Sequence, residues 1–365
     1  MSIEYRVSSI EYRVSSIEYR VSSIEHRVSS IEHRVSNIAN LMIKPTEISE
    51  HFIDIEKVFG TKNPKLLRIL PKFIFQYLRR VIHEDQVNSM IYNHRDNFGL
   101  EFVSAILIDF GCKIEVSVPS INQKTQSGIN SVEVSAENGM ENGKKLSHLI
   151  PPGGRFIIAS NHPLGGLDGL ALIHVVGKVR PDIVFPVNDL LLHIPGLQPL
   201  FIPINKHGTN NENIRIIEDT FASDKTVLYF PAGLVSRKSG KGVIKDLDWK
   251  KTFISKSKKY KRDIIPVYIS GRNSDFFYNL ANLRRKLGIK ANIEMLCLPG
   301  EMFKQKGKLV KIIFGEPIPY TTFDKTRSDV QWAELIKDKV YELARIVRKH
   351  DYIIALRSQL LVNYL

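Results

Sequence analysis

Residues 155–169 read RFIIASNHPLGGLDG. The apolar run Phe156–Ala159 follows a Pro-Pro-Gly-Gly turn and predicts a buried strand. It stops at Asn161-His162-Pro163. Gly165 and Gly166 follow, then Asp168, and the apolar periodicity from Leu170 to Lys178 predicts a helix. A histidine and an aspartate therefore stand together where a strand hands over to a helix. The free N–H groups at such a junction favour developing negative charge. A histidine that takes a proton, an aspartate that orients it and amides that receive an oxyanion are the parts of an acyl-transfer site. The plainer alternative is a turn in which Asp168 only caps the helix.

Outward from this stretch, strands and helices alternate. Strands are predicted at Lys113–Val118, around Val132–Ser135, and at Asp182–Val187, Leu200–Ile204, Thr226–Phe230, Asp263–Ser270 and Lys308–Phe314. Helices are predicted at Asn211–Ala222, Trp249–Tyr260 and Asp329–Leu361. This alternation implies an α/β fold, a sheet with helices packed against it. Before it, Thr46–Val58, Pro64–Ile82, Glu84–Asn93 and Leu100–Phe110 carry apolar residues at helical spacing, with a break or kink expected at Pro71. Residues 65–82, KLLRILPKFIFQYLRRVI, are apolar with basic edges. That composition suits a membrane interface, and equally an ordinary core helix.

Residues 3–37 repeat with a period of seven, IEYRVSS three times, then IEHRVSS and IEHRVSN. Isoleucines and valines alternate by three and four, a heptad seam, but the serines and β-branched residues are mediocre helix formers. The repeat reads either as a duplicated accessory extension or as an oligomerisation arm. The expected organisation is this extension at 1–41, a helical region at 42–111, the α/β core at 112–325 and a closing helix at 326–365.

The chain has 365 residues, a formal net charge of +14 and two cysteines, Cys112 and Cys297. Two cysteines are too few for a disulfide framework, and neither has metal-ligand spacing, so no metal site is expected. No run reaches the ~18 apolar residues of a spanning helix, and the N-terminus lacks the apolar core of a signal peptide. The positive charge implies an anionic partner: nucleic acid, anionic lipid or an acidic carrier protein.

Four segments recur in order: NHPLGGLDG from 161, GLQPLFIPINK from 196, YFPAGLVSRKSG from 229 and DIIPVYIS from 263. In this the sequence resembles the lysophospholipid (glycerolipid) acyltransferase superfamily over about residues 130–320, and the resemblance implies a mixed sheet flanked by helices. It is most similar to the hemolysin-labelled branch and its bacterial amino-acid N-acyltransferases of glycine and ornithine lipid synthesis. There are departures. Five residues, not four, separate His162 from Asp168, Ala232 stands where the family has glutamate, and the third block's arginine, Arg237, comes late. The second block ends in Asn205-Lys206 instead of an arginine. These changes point away from a glycerol-phosphate acceptor.

The resemblance implies a fatty acyl group moved from acyl carrier protein or coenzyme A to a small acceptor in membrane lipid synthesis, preferably an amino acid's amine. The alternatives are O-acylation of 1-acyl-glycerol 3-phosphate and a non-catalytic, hemolysin-like membrane binder. No bound cofactor is implied. His162 is the candidate general base and Asp168 its orienting partner. The extra residue between them calls for a bulge at Gly165-Gly166, where positive φ is tolerated. Asn161, Gly233, Ser236 and Arg237 are candidates for substrate binding: Gly233 through close backbone approach or an oxyanion N–H, Arg237 as a fork for a carboxylate or phosphate. His174 and His193 read as structural.

The basic stretch from Lys238 to Arg262, interleaved with Trp249, Phe253 and Tyr260, carries no nucleic-acid-binding signature. It suits an anionic membrane or an acidic carrier protein better than nucleic acid. Leu190, Leu191, Leu192, Ile194 and Leu197 read as core packing, an acyl-chain tunnel or a lipid-dipping loop. The expected location is the cytoplasmic face of the cell membrane, peripherally bound; only if the heptads are an arm rather than a duplicated extension would they oligomerise the chain.

Overall fold

In the computed structural model, strand β3 (Phe156–Ser160) is buried along its whole length. Phe156 and Ile158 turn into one apolar core with Ile173, Val267 and Ile312. Ile157 and Ala159 turn into a second, with Phe253, Ile254, Trp332 and Ile336. A strand covered on both faces needs apolar residues at every position, so its sequence is a continuous apolar run.

The structure describes residues 52–56, 72–119, 129–134, 146–147, 150–187, 191, 194–203, 211–289 and 292–364. The heptads and the helices expected at Thr46–Val58 and before Pro71 lie wholly or mostly outside them. The helical region is present as α1 (Lys72–Ile82), α2 (Glu84–Asn93) and α3 (Leu100–Asp109). The sheet then draws on β1 (Lys113–Pro119), β2 (Ile129–Val134), β3, β4 (Ile183–Val187), β5 (Phe201–Pro203), β6 (Thr226–Tyr229), β9 (Asp263–Ile269) and β10 (Leu309–Phe314). A two-residue pair, β7 (Arg237–Lys238) and β8 (Ile244–Lys245), stands apart from it.

The eight strands lie in the order β2-β1-β10-β9-β3-β6-β4-β5. The block β9-β3-β6-β4-β5 is parallel throughout. β10 runs antiparallel to β9, β1 parallel to β10, and β2 antiparallel to β1. The sheet is thus flanked by helices, as the alternation of elements predicts, and the antiparallel pairings of β10 with β9 and of β2 with β1 make it mixed. In the parallel block the carboxyl ends of the strands share one edge, where open α/β sheets place their ligands. His162 follows β3 and Phe230 follows β6 at that edge.

Several helices differ from expectation. α4 (Gly166–Gly177) begins four residues before the predicted Leu170 and so takes Asp168 into its first turn. Two glycines hide this start because they disfavour helix. The Asp168 carboxylate offsets that by accepting the Gly165 N–H at 3.3 Å, a capping contact from the third helical position. After α5 (Asn211–Ala222), α6 (Thr252–Tyr260) and β9 comes α7 (Asp275–Lys286), which the sequence did not reveal. It buries Phe277, Tyr278 and Ala281 yet exposes Phe276, Leu283 and the following Leu287, so apolar residues surround it and the amphipathic period is blurred. The short helix α8 (Leu298–Phe303) precedes β10, and the long helix α9 (Asp329–Tyr364) covers β9 with Ala333, Ile336 and Val340.

Candidate active site

The Nδ1 atom of His162 lies 3.0 Å from Asp168 Oδ2. Asp168 is fully buried, whereas the His162 side chain is 15% exposed. The carboxylate is immobilised by three backbone donors: Leu164 N–H at 2.8 Å and Gly165 N–H at 3.3 Å to Oδ2, and Gly169 N–H at 2.9 Å to Oδ1. A carboxylate held this way keeps the proton on Nδ1 and leaves Nε2 as the basic edge. The bulge that the spacing requires is present: Gly165 has φ +93° and packs against Leu298, where a Cβ would meet side-chain carbon at 3.0 Å. Leu164 and Gly165 therefore give their N–H groups to Asp168. An oxyanion would have to be met elsewhere at the helix start, where Gly166 and Leu167 stand.

Two further groups fix the imidazole. The Phe230 ring stacks on it with centroids 4.1 Å apart and planes 19° from parallel, and Phe185 braces Phe230 edge-on at 5.1 Å. Behind the histidine backbone lies a second buried carboxylate, Asp246. Its Oδ1 accepts the His162 N–H at 3.2 Å and the Ser236 hydroxyl at 2.5 Å; its Oδ2 accepts the Trp249 indole N–H at 3.0 Å. Its own N–H donates to the Tyr341 hydroxyl of α9 at 2.7 Å. Burial pushes the Asp246 carboxyl above the usual carboxylate range despite these donors. Sequence gives no sign of this role: Asp246 and Asp248 occupy the same polar loop, and only the fold buries the first and exposes the second.

The substrate-binding candidates separate from the His–Asp pair. Asn161 is buried and tied in both directions to Ile269, its Nδ2 donating to the carbonyl at 2.9 Å and its Oδ1 accepting the N–H at 2.7 Å. It extends the β3–β9 pairing beyond the strand and has no group turned to a ligand. Ser236 is also buried, and its N–H donates to the His162 carbonyl at 2.8 Å. With its hydroxyl on Asp246, it holds the turn that carries the histidine.

Gly233 has φ +64°, a conformation that favours glycine. Its N–H does not serve an oxyanion, because it donates to Phe230 O at 3.0 Å within the turn. Arg237 is not an open fork. Its guanidinium is buried, pairs with Glu294 at 2.7 Å, donates to Val235 O at 2.6 Å and lies over the Phe277 ring. Arg284 also pairs with Glu294, at 2.8 Å. Two arginines thus pair with one fully buried carboxylate, so freeing Arg237 for a substrate would weaken the compensation of a buried charge.

His174 is buried in α4 against Ser104 at 3.1 Å, a structural placement. His193, Leu190, Leu192 and Asn205-Lys206 lie outside the described residues; Leu197 is core and Leu191 is exposed. The basic stretch is largely consumed by partners. Lys256, Lys259 and Tyr260 converge on Glu218, Lys258 pairs with Asp329, Lys238 with Asp275 and Lys245 with Asp338. Arg262 is fully buried and donates to the carbonyls of Phe221, Phe156, Lys225, Thr220 and Ser223. Much of the run's charge is therefore engaged within the fold. Among the described residues no group of His, Cys, Asp and Glu is arranged to hold a metal ion, and no helix is long and apolar enough to cross a membrane.

A partly exposed histidine with its Nδ1 on a buried carboxylate, set before a helix at the carboxyl edge of the sheet's parallel block, can remove a proton from an attacking nucleophile and return it to a leaving group. Comparison with known proteins assigns the class: residues 135–348 match the Acyltransferase family, and the chain belongs to it. It is an enzyme, an acyltransferase of lipid synthesis, with relatives in glycine lipid metabolism. A lyso-glycine lipid O-acyltransferase of Bacteroides thetaiotaomicron is 43% identical over 300 residues, 82% of this chain and 100% of that protein. Another of the same description, from Phocaeicola vulgatus, is 42% identical over 302 residues, 82% of this chain and 98% of that protein. Among solved structures, the 1-acyl-sn-glycerophosphate (LPA) acyltransferase PlsC of Thermotoga maritima matches 80% of this chain and 93% of its own, at 17% identity and a TM-score of 0.37.

Proposed function

We propose that this chain transfers a fatty acyl group from an acyl thioester, on acyl carrier protein or coenzyme A, to the hydroxyl of a lyso-glycine lipid. The observation that carries the reading is the His162–Asp168 pair, with the histidine side chain partly exposed, in a chain whose relatives of 42–43% identity are described as lyso-glycine lipid O-acyltransferases. The resemblance alone implies an amine acceptor. The relatives' described activity favours a hydroxyl, and a histidine base serves a hydroxyl well, since that proton must leave as the oxygen attacks.

In the proposed step the acceptor oxygen attacks the thioester carbonyl as its proton passes to His162 Nε2. Asp168 stabilises the imidazolium through the Nδ1–H bond. Collapse of the tetrahedral intermediate breaks the C–S bond, and the imidazolium returns the proton to the departing thiolate. The products are the ester and the free thiol. Phe230 and Asp246 keep the ring and its backbone in place, so that orientation is set before the substrates arrive.

A lipid acceptor also calls for contact with a membrane, and exposed apolar residues support this. On α1, Phe73 and Tyr77 are 67% and 62% exposed, one helical turn apart, with Arg80 nearby in sequence. On α7 and just beyond, Phe276, Leu283 and Leu287 share an exposed face with Arg285 and Lys286 close by. Aromatic and aliphatic residues rimmed by basic ones fit the interface of an anionic bilayer. The acceptor assignment is tested by supplying purified full-length enzyme with an acyl thioester and, separately, lyso-glycine lipid, free glycine and lysophosphatidate, and identifying the products by mass spectrometry. Ester formation on lyso-glycine lipid is expected. Acylation of the glycine amine, or of lysophosphatidate alone, would overturn it.

A further inference from the structure

With Arg237 committed to Glu294, the cation at the third-block turn is a different residue. A Cβ built on Gly233 would lie 3.4 Å from Lys250 Nζ. Lys250 is exposed, and among the described residues no carboxylate pairs with it, in contrast to Lys238, Lys245, Lys256, Lys258 and Lys259. Its root is fixed from both sides. The Lys250 N–H donates to Pro231 O at 3.1 Å, and the buried Trp249 indole donates to Asp246, the same carboxylate that accepts the His162 N–H. Pro231 directly follows Phe230, whose ring stacks on His162. The Lys250 backbone is thus linked through a few hydrogen bonds to the candidate base, and its ammonium lies beside a turn that glycine keeps bare.

We propose that Lys250 binds the carboxylate of the acceptor, across the bare Gly233 turn, and so selects acceptors derived from an amino acid. The proposal rests on the lyso-glycine lipid reading above. Glycine acylated on nitrogen loses its ammonium and keeps one carboxylate, so a single lysine complements its charge. A phosphate monoester carries about −1.5 to −2 and has more oxygens to satisfy. Lysine also suits the task, because its compact ammonium reaches a carboxylate from the end of a flexible stem without the planar fork that arginine imposes.

The test compares lyso-glycine lipid with its methyl ester, which removes the charge and keeps the hydroxyl and acyl chain. Wild-type enzyme should prefer the free acid. Lys250→Ala should lower kcat/KM for the acid by about 10-fold, mainly through KM, and leave the ester's value unchanged, erasing the preference. Lys250→Arg should retain part of it. Equal losses on acid and ester would show a structural or donor-binding role and overturn the proposal. If wild-type enzyme acylates neither compound, the acceptor reading itself fails and the proposal with it.

Discussion

The Asp168 oxygen that faces His162 Nδ1 at 3.0 Å is the same oxygen that the Leu164 N–H reaches at 2.8 Å. The acid that orients the imidazole is therefore also the acid that shapes the bulged turn carrying it. Contact with the imidazole and helix capping, which the sequence left as alternatives, are both made by one carboxylate. Asp168→Asn should keep much of the turn, since an amide oxygen can still accept, but its NH₂ cannot hold the Nδ1 proton. The expected result is a fall in kcat of about 10³- to 10⁴-fold, with a stability loss of only about 1 kcal/mol. Steady-state kinetics beside thermal melting would separate the two; a melt-limited loss would contradict the catalytic assignment.

Asp246 gives a pH test. Burial raises its carboxyl, so the folded protein holds this proton more tightly than the unfolded chain does. The stability contributed is complete below the unfolded carboxylate pKa and is lost as pH rises through the elevated folded value. Asp246→Asn removes this dependence. Stability measured by urea unfolding across pH 4–8 should move in the variant's favour as pH rises. A constant difference between the two proteins would contradict the raised value.

Arg262 tests how the sheet is locked. Its guanidinium gathers carbonyls from the end of α5, the start of β3 and the approach to β6. Burial lowers its pKa to about 10, so it remains charged at neutral pH. Arg262→Met keeps the bulk and strands those carbonyls. A loss of about 3–5 kcal/mol is expected, read by chemical denaturation; a loss under about 1 kcal/mol would show that water replaces the arginine.

These tests also mark how far the sequence was legible. β3, the sheet strands and the His162–Asp168 pair were readable because their signals are local: an apolar run, a glycine turn, two side chains six positions apart. The pairing of Arg237 with Glu294, 57 positions away, was not, since a buried ion pair leaves no periodic trace. Arg262 read as part of a surface charge run because the carbonyls that bury it are gathered only by the fold. Asp246 escaped because its partners come from β3, the third block and α9, which only the fold assembles. The start of α4 was misplaced because capping overrode the low helix propensity of its glycines.

The exposed apolar residues on α1 and α7 carry a separate expectation. Phe73→Ser with Tyr77→Ser, and Leu283→Ser with Leu287→Ser, remove exposed side chains and should cost little stability. Each pair should weaken sedimentation with anionic phospholipid vesicles several-fold, while turnover of a detergent-dispersed acceptor stays near wild type. Unchanged vesicle binding in both would place the membrane contact elsewhere.

The most direct measurement is the rate at which full-length His162→Ala forms lyso-glycine lipid ester from an acyl thioester, set against wild type, with folding checked by circular dichroism. If His162 is the base, the folded variant should lose at least about 10²- to 10⁴-fold in kcat. A folded variant turning over within a few-fold of wild type would contradict the account, since the acceptor's proton would then be leaving without His162.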